Sequence, residues 1–123
     1  MLTGAQASSL SGRQYGGGAS STIAAGQDQC DYKYLGADFG VDLIVIVYQP
    51  SSGDTWETMN SVLSGVGTVR QVAGVGDKAI FAGVELDVAT GKWLVAIQGA
   101  GGLNDDAGAI AIGKELVGAL ASK

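Results

Sequence analysis

Val41-Asp42-Leu43-Ile44-Val45-Ile46-Val47-Tyr48 is the stretch on which the fold turns. Successive side chains of a strand point to opposite faces, so Val41, Leu43, Val45 and Val47 share one side and Ile44, Ile46 and Tyr48 the other. A half-solvated strand would carry a polar residue at every second position, and here only Asp42, near the start, is polar. The expectation is a strand in the middle of a sheet, covered above and below. Pro50 ends it.

Upstream, Thr3 and Gln6 have capping-box spacing, Leu2 can staple onto Ala7, and Gly12 suits a left-handed stop, which together predict a helix over 3–11. Gly16-Gly17-Gly18 and the serines after it read as a flexible loop. Thr22–Ala25 and Gln29–Leu35 read as strands preceding the central one. Downstream, a helix is predicted over 55–64 with Asp54 as its cap, because Trp56, Met59 and Leu63 fall on one helical face. Strands are predicted at Thr68–Val72, at Lys78–Phe81 with Val84–Val88, and at Lys92–Gln98, with a hairpin turn at Thr90-Gly91. The longest helix is predicted over 107–121, capped by Asp105 or Asp106, with Ile112, Leu116 and Leu120 as its apolar stripe.

The halves of the chain echo one another. Asp28, Cys30 and Tyr32 precede Asp77, Ala79 and Phe81 by 49 positions, and Leu43, Val45 and Val47 precede Trp93, Val95 and Ile97 by 50. The expected architecture is one α+β domain spanning 1–123. It has a mainly antiparallel sheet with helices packed on one face, in the order α-β-β-α-β-β-α, and a pseudo-two-fold internal repeat.

Composition narrows the function. A net charge of −5 with seven Lys and Arg repels phosphate, which argues against a nucleic-acid partner. No apolar run approaches the ~20 residues that cross a bilayer. Met1-Leu2-Thr3 has neither the charged nor the apolar region of a leader, so the chain is expected either to be cytosolic or to begin after a removed signal. With no His and only Cys30, a zinc site, a Ser-His-Asp triad and an internal disulfide are all ruled out. Cys30 reads as a buried, inert thiol.

Gly74-Val-Gly76-Asp-Lys-Ala79 matches the G-x-G-x-x-A dinucleotide fingerprint, but that motif must open a helix, and Ile80–Val88 reads as strand. The bend is expected to be structural, with Asp77 bracing it, and no cofactor is expected. Asp28, Asp31 and Asp77 are the carboxylates whose convergence would allow acid–base hydrolysis or calcium binding. Asn104-Asp105-Asp106 could take a hard cation but lacks the EF-hand spacing. In each case a turn-forming or capping Asp is the simpler reading, and no metal ligand is assigned. Trp56 and Trp93 read as core residues.

Taken together, Leu2-Thr3 with Ala7 and Leu10, Cys30-Asp-Tyr32, the strand 41–48, and Gly74-Val-Gly76-Asp-Lys-Ala79 before Trp93-Leu-Val form a pattern covering most of the chain. It resembles a broad group of uncharacterised exported domains, many of them lipoproteins, common in actinobacteria. The resemblance implies an envelope-associated domain whose membrane contact runs through a lipid anchor outside this chain, with no catalytic residues to carry over. Many of those domains pair an early cysteine with a second one, and only Cys30 stands here.

The expected function is therefore a non-catalytic cell-envelope domain binding a partner protein, a wall component or a small apolar ligand. Ile44, Ile46 and Tyr48 are the candidate binding residues, because three helices are too few to cover their side of the sheet. The alternatives are a carboxylate-based hydrolase or cation-dependent enzyme, and a structural accessory domain that dimerises through that face.

Overall fold

Thr3 opens the first helix as the sequence predicts. Its hydroxyl accepts from the Gln6 amide, while the Gln6 side chain accepts from the Thr3 amide at 2.9 Å. That capping box starts α1 (Gly4–Ser11), and Gly12 at φ 74° stops it. The computed structural model describes residues 2–38, 40–65, 67–101 and 105–121. Asn104 lies outside the described residues. After α1 come β1 (Tyr15–Ala24), β2 (Gln27–Tyr34) and β3 (Leu43–Tyr48), then a 3-10 turn at Pro50–Ser52 and α2 (Trp56–Ser64). The chain continues through β4 (Arg70–Gln71), β5 (Lys78–Ala82), β6 (Glu85–Thr90) and β7 (Trp93–Gln98), and closes with α3 (Ala107–Leu120).

The expected α+β class is what the chain adopts, with one antiparallel sheet in the order β1-β2-β3-β7-β6-β5-β4. The sheet consists of two meanders, β1–β3 and β5–β7, joined where β3 lies against β7. The 50-residue offset thus relates two strands that are direct neighbours. The 49-residue offset places β2 on β5, which stands two strands from β7, so the strands paired by the two offsets are not equally placed in the sheet.

Strand β3 is interior, as expected, but its two sides differ. Leu43, Val45 and Val47 are buried, whereas Ile44, Ile46 and Tyr48 are half-buried, and Val41 before the strand is 58% exposed. The difference comes from where the helices lie. On one face, Leu43 and Val45 join Tyr32, Val88, Val95 and Ile97 in a core covered by Ala7 of α1 and by Ile112, Leu116 and Leu120 of α3. On the other, Met59 and Leu63 of α2 pack over β5, β6 and β7, with Ile46 and Tyr48 of β3 half-buried at the edge of this packing. Helices on a single face, as expected, therefore describes α1 and α3 only. The crossover from β3 to β4 carries α2 beneath the sheet, where Leu94, Ala96, Ile80 and Ala82 need cover.

Three local expectations are corrected. Gly16–Gly18 is not a loop but the start of β1, paired with β2 and interrupted by a bulge between Gly17 and Ala19. Glycine is required there by conformation: Gly17 and Gly18 have φ of 81° and 105°, and a Cβ on Gly18 would also lie a tight 3.3 Å from the Tyr32 ring. The cap of α2 is Thr55, whose Oγ1 accepts from the Thr58 amide at 3.2 Å, while Asp54 is engaged elsewhere. Thr68–Val72 contributes only the two-residue β4.

Tyr32 ties α1 to the sheet. It is fully buried, and its hydroxyl donates to the Leu2 carbonyl at 2.7 Å. Replacing it with Phe leaves that carbonyl without its partner at an unchanged shape, which costs about 1–2 kcal/mol. The expected readout is a lower midpoint in urea with an unaltered slope.

Candidate functional site

The sequence Glu85-Leu-Asp-Val-Ala-Thr of β6 sends Leu86 and Val88 into the core beneath α1 and α3. By alternation, Glu85, Asp87 and Ala89 take the α2 face. Register then fixes their neighbours. Asp87 stands opposite Ala96 of β7 and Ile80 of β5, and Ala96 in turn stands opposite Ile46 of β3. A carboxyl group thus sits in a row of apolar side chains under a helix. It is 1% exposed.

Such a group cannot stay ionised at ordinary carboxylate pH. Burial, then a hydrogen bond that the protonated Asp87 donates to the neighbouring Glu85 carboxylate, and the negative charge of that carboxylate, push the Asp87 pKa up to about 9. Asp87 is therefore a neutral acid at pH 7. Its Oδ1 has no hydrogen-bond partner, a condition unique to it among the buried side-chain oxygens and nitrogens of the described residues. Native interiors rarely tolerate an orphaned buried acceptor.

A hollow of about 170 Å³ lies where this acid meets α2. Glu85 and Gln98 line one wall, held together by the Gln98 Nε2–Glu85 Oε1 bond at 2.7 Å. Thr58, Met59 and Val62 of α2 form the roof, and Val62 is 70% exposed at the rim. Asp54 closes the end before α2, its Oδ2 accepting from Gln27 Nε2 at 2.8 Å. Tyr48 of β3 completes the lining. Its phenol pKa is raised by burial and by the charges of Asp54, Asp87 and Glu85, so it stays a hydrogen-bond donor.

Of the three residues singled out in the sequence, Tyr48 lines this hollow. Ile46 packs half-buried beside it, and Ile44 lies a row further on, opposite Gln98. Asp87, Glu85 and Gln98 were not singled out, and Asp54 was read only as a helix cap. A signal was present: carboxyls at i and i+2 of a strand share a face, and Asp87 is flanked by Leu86 and Val88. What hid it was the position of α2, which turns an ordinary strand Asp into a buried one.

The carboxylates considered for hydrolysis do not converge. Asp28 and Asp31 are an odd number of positions apart on β2 and point to opposite faces. Both Asp28 oxygens are engaged, by Thr22 Oγ1 at 3.0 Å and Gln49 Nε2 at 2.9 Å. Asp31 is exposed beside Gln29, and Asp77 accepts from the Gly91 amide at 2.8 Å. The Gly74–Ala79 bend leads straight into β5, with no helix for a pyrophosphate to meet. Cys30 is buried, and Trp93 packs against the main core.

Larger hollows, of about 240, 310 and 450 Å³, open elsewhere on the surface, and none of them contains an unpartnered buried polar atom. Among the described residues no cluster of three or more His, Cys, Asp or Glu can hold a metal ion, and no helix is long and apolar enough to cross a membrane. Comparison with known families, with curated proteins and with solved structures finds no match to this chain.

Proposed function

We propose that this protein is a non-catalytic binding domain of the cell envelope whose ligand is a small molecule held between α2 and the sheet, beside Tyr48. The observation that carries the binding reading is that Asp87, whose Oδ1 is buried without a partner, lines a half-open hollow. That oxygen is an acceptor kept waiting for a donor, in a fold that satisfies its other buried side-chain polar groups among the described residues. A hollow of about 170 Å³ falls below the ~300–1,000 Å³ of drug-sized sites, so the ligand is small. Met59 and Val62 give it an apolar wall. The envelope location rests on the resemblance of the Cys30-Asp-Tyr32 and Gly74–Ala79 motifs to exported domains.

Met59 makes the test direct, since the chain has two methionines and their methyl carbons are readily resolved. In a screen of small molecules against methyl-labelled protein, ligands should move the Met59 resonance in a saturable way, and Val62→Lys at the rim should weaken them at least tenfold. A screen in which binders appear but Met59 stays still would place the ligand elsewhere. Recovery of the native protein in the envelope fraction of its host tests the location.

A second reading draws on the same pair. A neutral Asp87 beside a charged Glu85 is the arrangement in which one carboxyl gives a proton and the other accepts one. Chemical conversion of a bound compound, lost in Glu85→Gln, would establish that reading over simple binding.

A further inference from the structure

We infer that the ligand of this hollow is a small organic ammonium ion, its N–H groups directed at the Asp87 carboxyl and its short apolar body against Met59 and Val62. The inference rests on the binding reading above and gives it a chemical class.

Asp87 lines the hollow and one of its carboxyl oxygens is buried without a partner, so a ligand that brings a donor to this carboxyl gives it the hydrogen bond it lacks. The lining also carries the Glu85 and Asp54 carboxyls, and it includes no Lys or Arg. The nearest cation on the adjoining strand, Lys78, is exposed and drawn 5.7 Å over the Trp56 ring, outside the lining. A neutral donor such as an alcohol would satisfy the orphan but leave the surrounding negative charge uncompensated, whereas an ammonium answers both. An inorganic cation fits poorly, because the described residues offer it no cluster of three ligating carboxyls. The exposed methyls of Val62 at the rim and the buried Met59 thioether suit a short alkyl group.

Binding then has a proton balance. The ammonium arrives charged and Asp87 starts neutral, so forming the ion pair requires the Asp87 carboxyl proton to leave for the buffer, one per ligand bound. The groups facing Asp87 that set this balance are Glu85 on its own strand, Asp54 before α2 and Tyr48 on β3. Opposite it on β7 and β5 stand Ala96 and Ile80, which carry no charge.

The test titrates n-butylammonium chloride, with n-butanol as its neutral isostere, while the Met59 methyl resonance is followed in phosphate buffer at pH 6, 7 and 8. The expected result is saturable movement by the ammonium, about tenfold tighter per pH unit because one proton is released, with n-butanol at least tenfold weaker at pH 8. Asp87→Asn should keep the fold and abolish both the binding and its pH dependence. Equal binding of the two probes would overturn the ammonium class while leaving the ligand site standing. Movement by neither would overturn both. Ammonium binding that survives Asp87→Asn with no pH dependence would mark attraction to the acidic surface and overturn the inference.

Discussion

Asp87→Asn is expected to raise the stability of the protein, and to raise it more at pH 8 than at pH 5. In the unfolded chain an Asp titrates near ~3.9, whereas in the fold burial and Glu85 hold Asp87 protonated to about 9. Between these values the folded state carries one proton more than the unfolded state. Stability therefore falls as pH rises, by ~1.4 kcal/mol per unit. Below ~4 both states are protonated and the dependence vanishes. At pH 7 the accumulated cost has an upper bound of ~4 kcal/mol. Asn keeps the shape, bears no charge and can still donate to Glu85, so it removes most of this cost. Thermal melts of the two proteins across pH 5–8 should show the variant gaining at least ~5 °C at pH 7 and progressively more above it. A constant or shrinking difference would mean that Asp87 is ionised in the fold, and the account of the hollow would fail with it. The expected gain has a functional meaning as well. A single amide substitution would make a more stable protein, so the carboxyl stands where stability alone would not place it.

That same residue marks where reading the sequence stopped. Features written in local chemistry were legible: the Thr3–Gln6 capping box, the Gly12 stop, the alternation of β3, and the apolar stripe of α3 through Ile112, Leu116 and Leu120. Each depends on residues within one or two turns of each other. The misread features depend on what lies across the fold. Gly16–Gly18 has loop composition, yet it is strand because β2 supplies its hydrogen bonds, while the bulge after Gly17 uses the positive φ that glycine allows. The face chosen by α2 is set by the crossover from β3, which no periodicity encodes. The candidate site inherits that ambiguity. Tyr48 could be found because the opposite side of β3 is written in its own alternation, but the burial of Asp87 appears only once Met59 and Leu63 are known to lie over β6 and β5 rather than beside α3.

The Gly74–Ala79 bend provides the largest expected loss. Gly74 and Gly76 both have positive φ, 83° and 59°, so alanine at either costs ~1–2 kcal/mol of backbone conformation. They differ in their surroundings. A Cβ on Gly74 meets nothing within 4 Å, whereas one on Gly76 would lie 2.6 Å from the Ala89 carbonyl oxygen and 2.8 Å from Val88 Cγ1. Neither neighbour yields easily, because that carbonyl accepts from the Asp77 amide at 2.8 Å and Val88 is fully buried. Relieving the overlap requires the bend to move off β6, which adds roughly 1–3 kcal/mol by analogy with overpacked cores. Gly76→Ala is thus expected to lose about 2–5 kcal/mol and on the order of 10 °C in melting temperature, and Gly74→Ala less than half of that. Urea titrations of the two variants separate the contributions: an equal midpoint shift would show that conformation alone requires these glycines, while a larger shift at Gly76 identifies the close approach to β6 as the constraint. Ala89 lies on the α2 face, two positions from Asp87, so displacement at Gly76 should also disturb the hollow. In Gly76→Ala the Met59 methyl resonance should move, and in Gly74→Ala it should not. That pairing would tie a bend resembling a nucleotide fingerprint to the support of a quite different site.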